Sequence, residues 1–185
     1  MAFTPPATWI TPRTWTRENS DIFISNEPAL LSVESVKEAF ESDFVYWTTS
    51  PIPEDALRQM LYGAMSFGVY KRIQPQSDDT PPSTKNTEQI GLARMTTDGA
   101  SFAYLADVYV LPEYQGKGLG KWLVECIREV FSKENMPYLR RLMLFTGNER
   151  TQAFYTKLLN MKELGHEERS ELGLDLKILC ARPNA

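Results

Sequence analysis

The chain has 185 residues and a mass of 21.1 kDa, the size of one domain able to bury its own core. Twenty basic against twenty-four acidic side chains give a net charge of −4 and a pI near 5.2, which excludes jobs built on a positive field, nucleic-acid and anionic-membrane binding above all. Two cysteines, Cys126 and Cys180, and one histidine, His166, exclude a disulfide scaffold and catalysis by several histidines; with no CxxC or HExxH spacing, no metal is expected.

Residues 1–20 are rich in Thr, Pro and Trp. They read as an extended arm whose Trp9 and Trp15 pack on the body, and residues 21–185 as the domain itself. The arm has no long apolar run, so neither a signal peptide nor a membrane span is expected, and the protein reads as cytoplasmic with reduced thiols. Asp21 to Ser25 alternates polar and apolar residues as a short strand does. Ser32 is placed to cap a helix running to about Ser42. The aromatic, β-branched run Asp43 to Thr48 predicts a strand, broken by Ser50-Pro-Ile-Pro53. Pro53 with Glu54 and Asp55 opens a second helix carrying Leu57, Met60, Leu61 and Ala64 on one face. Phe67 to Ile73 is the next strand, and residues 74–88, which hold no large apolar residue, form a loop. Gln89 to Met95 and Phe102 to Val110 flank the hairpin signal Asp98-Gly99. The second of these strands is apolar almost throughout, which predicts cover on both faces.

A turn at Leu111 to Gln115 leads into Gly116-Lys-Gly-Leu-Gly120 and a helix with an unbroken stripe from Leu119 to Phe131. Then follow a strand, Leu139 to Phe145, a helix from Glu149 to Asn160 with Asn160 at a left-handed cap, and a last strand, Asp175 to Cys180. The order predicts an α+β fold: a mostly antiparallel sheet flanked by helices, with one strand–loop–helix unit near its centre.

That unit carries the chemistry. Alternate glycines allow close approach of a ligand to the backbone, and the helix start behind them offers unpaired amides and a positive dipole end, a cradle suited to a pyrophosphate. Lys117 and Lys121 add local positive charge. It is not a Walker loop, because Gln115 stands where the first glycine belongs and Trp122 where Ser or Thr belongs. Nor is it the dinucleotide fingerprint, since the spacing is GxGxG. A glycine-rich connection without a ligand is the plain alternative.

Gln115 to Gly120 matches the (Q/R)-x-x-G-x-(G/A) signature of the GNAT superfamily of acyl-CoA-dependent N-acyltransferases. The preceding VYVLPEY resembles that family's central strand and turn, and Asn148 to Tyr155 resembles its second signature, N-x-x-x-x-A-x-Y. The stretches TRENSDIFISNEPALL and FAYLADVYVLPEYQGKGLGKWL are similar to one broad subgroup of unassigned acceptor, and the likeness spans about residues 17–182. It implies a GNAT-like domain that transfers acetyl from acetyl-CoA to an amine. In that reading the strand splays from its neighbour after a bulge, and Val108, Tyr109 and Val110 pair with the pantetheine arm. Residues Gln115, Gly116, Lys117, Gly118, Leu119 and Gly120, with Lys121, hold the pyrophosphate. Asn148 bonds the pantetheine, Tyr155 protonates the leaving thiolate, and the amide of Val108 stabilises the oxyanion.

Several residues keep two readings. Tyr155 could instead be core, although Phe154 suits that role better. Asp107, the lone charge in its strand, is either a general base or ammonium anchor, or a structural carboxylate held by backbone amides or an arginine. Tyr46 and Trp47, with Phe102 and Tyr104 as companions, line an acceptor pocket or pack a core. Cys126 reads as core and His166 as a solvated loop residue. The expected acceptor is a small-molecule amine. A protein lysine or N-terminal acetyltransferase and a catalytically weak acyl-CoA-binding module are the alternatives. Dimers are common among similar proteins, and the oligomeric state is left open.

Overall fold

A computed structural model describes residues 11–48, 51–73, 81–147 and 149–163. A six-stranded sheet runs in simple chain order, β1 (Thr14–Thr16), β2 (Ile22–Ser25), β3 (Met65–Arg72), β4 (Thr87–Thr97), β5 (Phe102–Val110) and β6 (Arg141–Met143). All neighbours are antiparallel except β5 and β6, which are parallel and joined by a helical crossover. The helices are α1 (Val33–Phe40), α2 (Glu54–Tyr62), α3 (Leu119–Val130) and α4 (Glu149–Leu159). This is the expected α+β architecture. The expected last strand, Asp175 to Cys180, lies outside the described residues, as do Trp9, His166 and Cys180.

Local chemistry explains most of the boundaries. Ser32 Oγ accepts the amide of Ser35 at 3.1 Å and so caps α1. Asp98 Oδ1 gathers the amides of Ala100, Ser101 and Phe102 within 3.0 Å, closing the β4–β5 hairpin beside a left-handed Gly99. These donors, with Ser101 Oγ first, hold the Asp98 carboxyl well below the usual carboxylate range. Asn160 takes the left-handed conformation expected of it after α4, with φ +52°.

Alternation along the strands splits the core in two. Ile24, Phe67, Ala93, Met95, Ala103 and Leu105 face α3 and α4, with Leu123, Ile127 and Val130 pressed against them. Leu92 and Tyr109 point the other way, into Val36, Phe40, Leu57 and Leu61 of α1 and α2. The arm joins this body. Thr14–Thr16 pairs with β2, Trp15 stacks on Phe67 at 6.1 Å, and its indole N–H donates to Glu129 of α3 at 2.9 Å.

Three expectations need correction. Asp43 to Thr48 is a chain of turns, not a strand: Ser42, Val45 and Thr48 each return their amide to the carbonyl three residues earlier. Only Val45 is fully buried, so one apolar anchor and local bonds replace a ladder. Strand β5 is covered on both faces only at its Tyr109 end, where α1 and α2 pack; Tyr104, Ala106 and Asp107 are not fully buried. Finally, β4 begins at Thr87, not Gln89, where a turn bonded by Ser83, Asn86 and Thr87 ends the loop.

Candidate active site

The glycine loop takes left-handed turns that suit its glycines. Gly116 and Gly118 sit at φ +76° and +75°, a region costly for any residue with a Cβ. Gly118 is the N-cap of α3, and no side chain caps the helix. Its first amides, those of Leu119, Gly120 and Lys121, have no intrahelical acceptor and face outward with the positive end of the helix dipole. A Cβ built on Gly116, Gly118 or Gly120 would meet nothing within 4 Å, so the loop borders open space. Two cations flank it: Lys117 rests over the Tyr114 ring at 5.0 Å, and Lys121 pairs with Glu125 at 3.7 Å.

Gln115 plays a different part from the one expected. Its backbone amide closes a 3-10 turn on Pro112 at 3.1 Å, and its side chain donates to the Val110 carbonyl at 2.8 Å. Gln115 therefore ties the loop to the end of β5, and the amides available to a ligand begin at Gly116.

The sheet opens next to this loop. Strand β6 pairs with β5 only from Phe102 to Tyr104, while β5 stays on β4 as far as Val110. Among the described residues no strand lies against the rim of β5 beyond that point. Leu111 donates its amide to Ile90 on β4 at 2.9 Å, and alternate residues turn their amides the same way, so those of Val110 face the open rim. By the same parity Tyr109 faces β4. Its ring packs edge-on against Phe40 and Phe44 at 6.3 and 5.8 Å, so it serves the core rather than the rim.

The bulge lies one step earlier. Leu92 pairs with Tyr109 but Arg94 with Ala106, so Ala93 alone faces both Asp107 and Val108. Asp107 takes φ +52° there, inside a strand. Arg94 Nε donates to its Oδ2 at 2.7 Å, with the two side chains 18% and 11% exposed, and the Trp47 indole N–H donates to Oδ1 at 3.3 Å. The arginine is thus the partner that one reading of Asp107 asked for. Sequence reasoning missed Arg94 itself; its one local signal is that it is the only charge between Ile90 and Met95.

Tyr155 lies on α4 in the same buried cluster as Leu105, Val110 and Leu119, and burial pushes its phenol up to about 12. It is more buried than Phe154, its edge-on neighbour at 5.2 Å, which reverses the expected division of labour in packing. Asn148 lies outside the described residues. Tyr46 and Trp47 stay exposed, 73% and 41%, with rings edge-on at 5.3 Å. Tyr104 leans on Phe145 at 5.7 Å, and Phe102 is half exposed beside them. Phe145 went unnoticed in the sequence because it reads as the end of an apolar strand. Cys126 is core as expected, its thiol raised to about 12 by burial. Among the described residues no cluster of His, Cys, Asp and Glu could hold a metal ion. No described helix is long and apolar enough to cross a membrane.

A bulged central strand, a splayed parallel neighbour and a glycine loop opening a helix define the acetyltransferase class. Residues 36–161 match the acetyltransferase (GNAT) family model, and the chain belongs to that family. A Gibberella zeae protein named as an acetyltransferase is 39% identical over 156 residues, covering 82% of this chain and 84% of its own. The GCN5-related N-acetyltransferase 2, chloroplastic, of Arabidopsis thaliana is 64% identical over 90 residues, which are 45% of this chain and 34% of that one. Among solved structures, a GNAT-family protein from Xanthomonas campestris superposes with a TM-score of 0.58 at 24% identity, over 85% of this chain and 93% of its own; that likeness speaks for the fold.

Proposed function

We propose that this acetyltransferase moves an acetyl group from acetyl-CoA to the primary amine of a small molecule by direct attack in a ternary complex. The observation that carries the donor side is the open cradle at Gly116 to Gly120, set against the unpaired rim of β5. The first amides of α3 bind the pyrophosphate, with Lys117 adding charge. Val108 and Val110 offer backbone groups to the pantetheine as a neighbouring strand would, and Asn148 adds a hydrogen bond. The thioester supplies the activated acetyl group. The amide of Val108, aimed by the bulge, stabilises charge on the carbonyl oxygen.

Tyr155 then gives its proton to the departing thiolate. A phenol pushed up to about 12 keeps its proton at neutral pH; being a weaker acid than a thiol of about 8.5, it gives that proton only as the C–S bond breaks and recovers one from the attacking nitrogen, which ends as the neutral amide. The exposed rings of Tyr46, Trp47 and Phe102, with the partly buried Tyr104, line the acceptor side, which suits a small amine carrying apolar surface. The amine must arrive neutral, so kcat/KM rises with pH as the acceptor deprotonates, and Tyr155 introduces no falling limb until about pH 12. The cytoplasm is the proposed compartment, and imaging of a fluorescent fusion tests it.

Calorimetry with coenzyme A, followed by thiol release from acetyl-CoA across amines, amino acids and peptides, tests the whole assignment. Tight coenzyme binding with transfer to small amines supports it. Transfer to peptides alone makes the chain a protein acetyltransferase. Binding without transfer makes it an acyl-CoA-binding module.

A further inference from the structure

Asp107 occupies an unusual position. It is a non-glycine residue at φ +52° in the interior of the central strand, at the bulge that turns the next amide, that of Val108, out of the ladder. Aspartate tolerates this conformation better than most residues, and glycine tolerates it best. Both carboxylate oxygens have donors: Oδ2 takes Arg94 Nε from β4, and Oδ1 takes the Trp47 indole from the turns after α1. Arg94 is itself steadied, its Nη1 donating to Thr96 Oγ1 at 3.3 Å. One side chain thus ties together the neighbouring strand, the bulge and the exposed acceptor-side aromatic pair.

We infer that Asp107 is a positioning residue: it pins the bulge so that the Val108 amide points at the reacting carbonyl, and it sets Trp47 against the acceptor. This rests on the acetyl-transfer reading above, because the Val108 amide matters only if an oxyanion forms there. The role requires no proton transfer at Asp107: one oxygen accepts Arg94 Nε at 2.7 Å and the other the Trp47 indole at 3.3 Å, so each holds a neighbouring element while keeping a second lone pair.

A positioning role and a base role predict different orders in a substitution series. Asp107→Asn keeps an oxygen for Arg94 and tolerates the left-handed backbone. Asp107→Gly loses both bonds but accepts the conformation freely. Asp107→Ala loses the bonds and resists the conformation. If Asp107 positions the bulge, kcat follows Asn above Gly above Ala. Ala then falls by about 100-fold, as when an oxyanion donor is misplaced, and Gly recovers at least fivefold of that loss. Melting temperatures, taken alongside, show that each variant is folded. Arg94→Lys keeps a cation near Oδ2 and recovers part of the loss caused by Arg94→Ala. Trp47→Phe, which removes the indole donor and shrinks the ring, raises the acceptor KM more than it lowers kcat.

If Asn and Gly are as inactive as Ala, the carboxylate itself takes part in proton transfer and the positioning role is overturned. Gly below Ala overturns it as well, since the backbone conformation would then not be what matters. Coenzyme A calorimetry on the unmodified protein separates the two levels of failure. Absent binding sinks the acetyl-transfer reading and the positioning role with it. Intact binding and transfer with the wrong order of variants sinks the positioning role alone.

Discussion

The two sides of the candidate site are built from different materials. The donor side is backbone: amides at the start of α3, a left-handed Gly116 and Gly118, and an open strand rim. The acceptor side is side chains on turns and strand ends: Trp47 and Tyr46 after α1, Phe102 and Tyr104 on β5, Phe145 just past β6. Backbone built for a diphosphate constrains the sequence tightly, because only glycine fits certain angles. Aromatic rings on a rim constrain it loosely, since many residues can line an apolar surface. On the proposed reading, the donor side is held by backbone geometry and the acceptor side is where specificity is set.

The sharpest way to break this division is Tyr155→Phe. Removing the general acid lowers kcat by about 100-fold, while calorimetry finds coenzyme A affinity within about twofold of the original. Undiminished turnover removes Tyr155 from the chemistry and leaves it a core residue.

Gly120→Ala comes next. Gly120 has an ordinary helical φ and free space in front of it, so the methyl group costs the fold nothing. It intrudes where the pyrophosphate lies, and coenzyme affinity drops by about tenfold, roughly 1.4 kcal/mol, with the melting temperature unchanged. Equal affinity means the diphosphate sits elsewhere.

On the other side, Trp47→Ala is expected to raise the acceptor KM severalfold and leave coenzyme binding intact, because the exposed indole packs edge-on with Tyr46 and donates to Asp107, away from the glycine loop of the proposed donor side. A change in coenzyme affinity would show that the two sides are not separable.

The smallest effect belongs to a control away from both. Tyr70 is fully buried, stacked on Phe23 at 5.3 Å, and its hydroxyl has no partner among the described residues. Tyr70→Phe is expected to stabilise the protein by up to about 1 kcal/mol in a denaturant titration, with kinetics unaltered. A loss of stability would reveal a hidden partner for that hydroxyl.

The same division decides how much could be read beforehand. Gly116, Gly118 and Gly120 announce their helix N-terminus, Ser32 its cap, Asp98-Gly99 its hairpin and Asn160 its left-handed turn, because each satisfies a local steric or hydrogen-bonding demand. Asp43 to Thr48 misleads because β-branched and aromatic residues suit strands in general, yet here the Val45 and Thr48 amides close on carbonyls three residues earlier instead of on a neighbouring strand. The pairing of Asp107 with Arg94 depends on a register shift between strands, a non-local fact that no window of sequence contains. Gln115 shows the finer limit: its place in the signature is legible, while its attachment to Val110 is a tertiary detail.

One contact bears on how the molecule is made. Glu129 holds Arg13 at 3.1 Å and the Trp15 indole at 2.9 Å, across 116 and 114 residues of chain. A polypeptide leaving the ribosome must carry Arg13 and Trp15 without this latch until Glu129 has been added. Until then β1 can pair with β2 but its indole lacks this acceptor, and chaperone demand during biosynthesis should fall on that waiting edge.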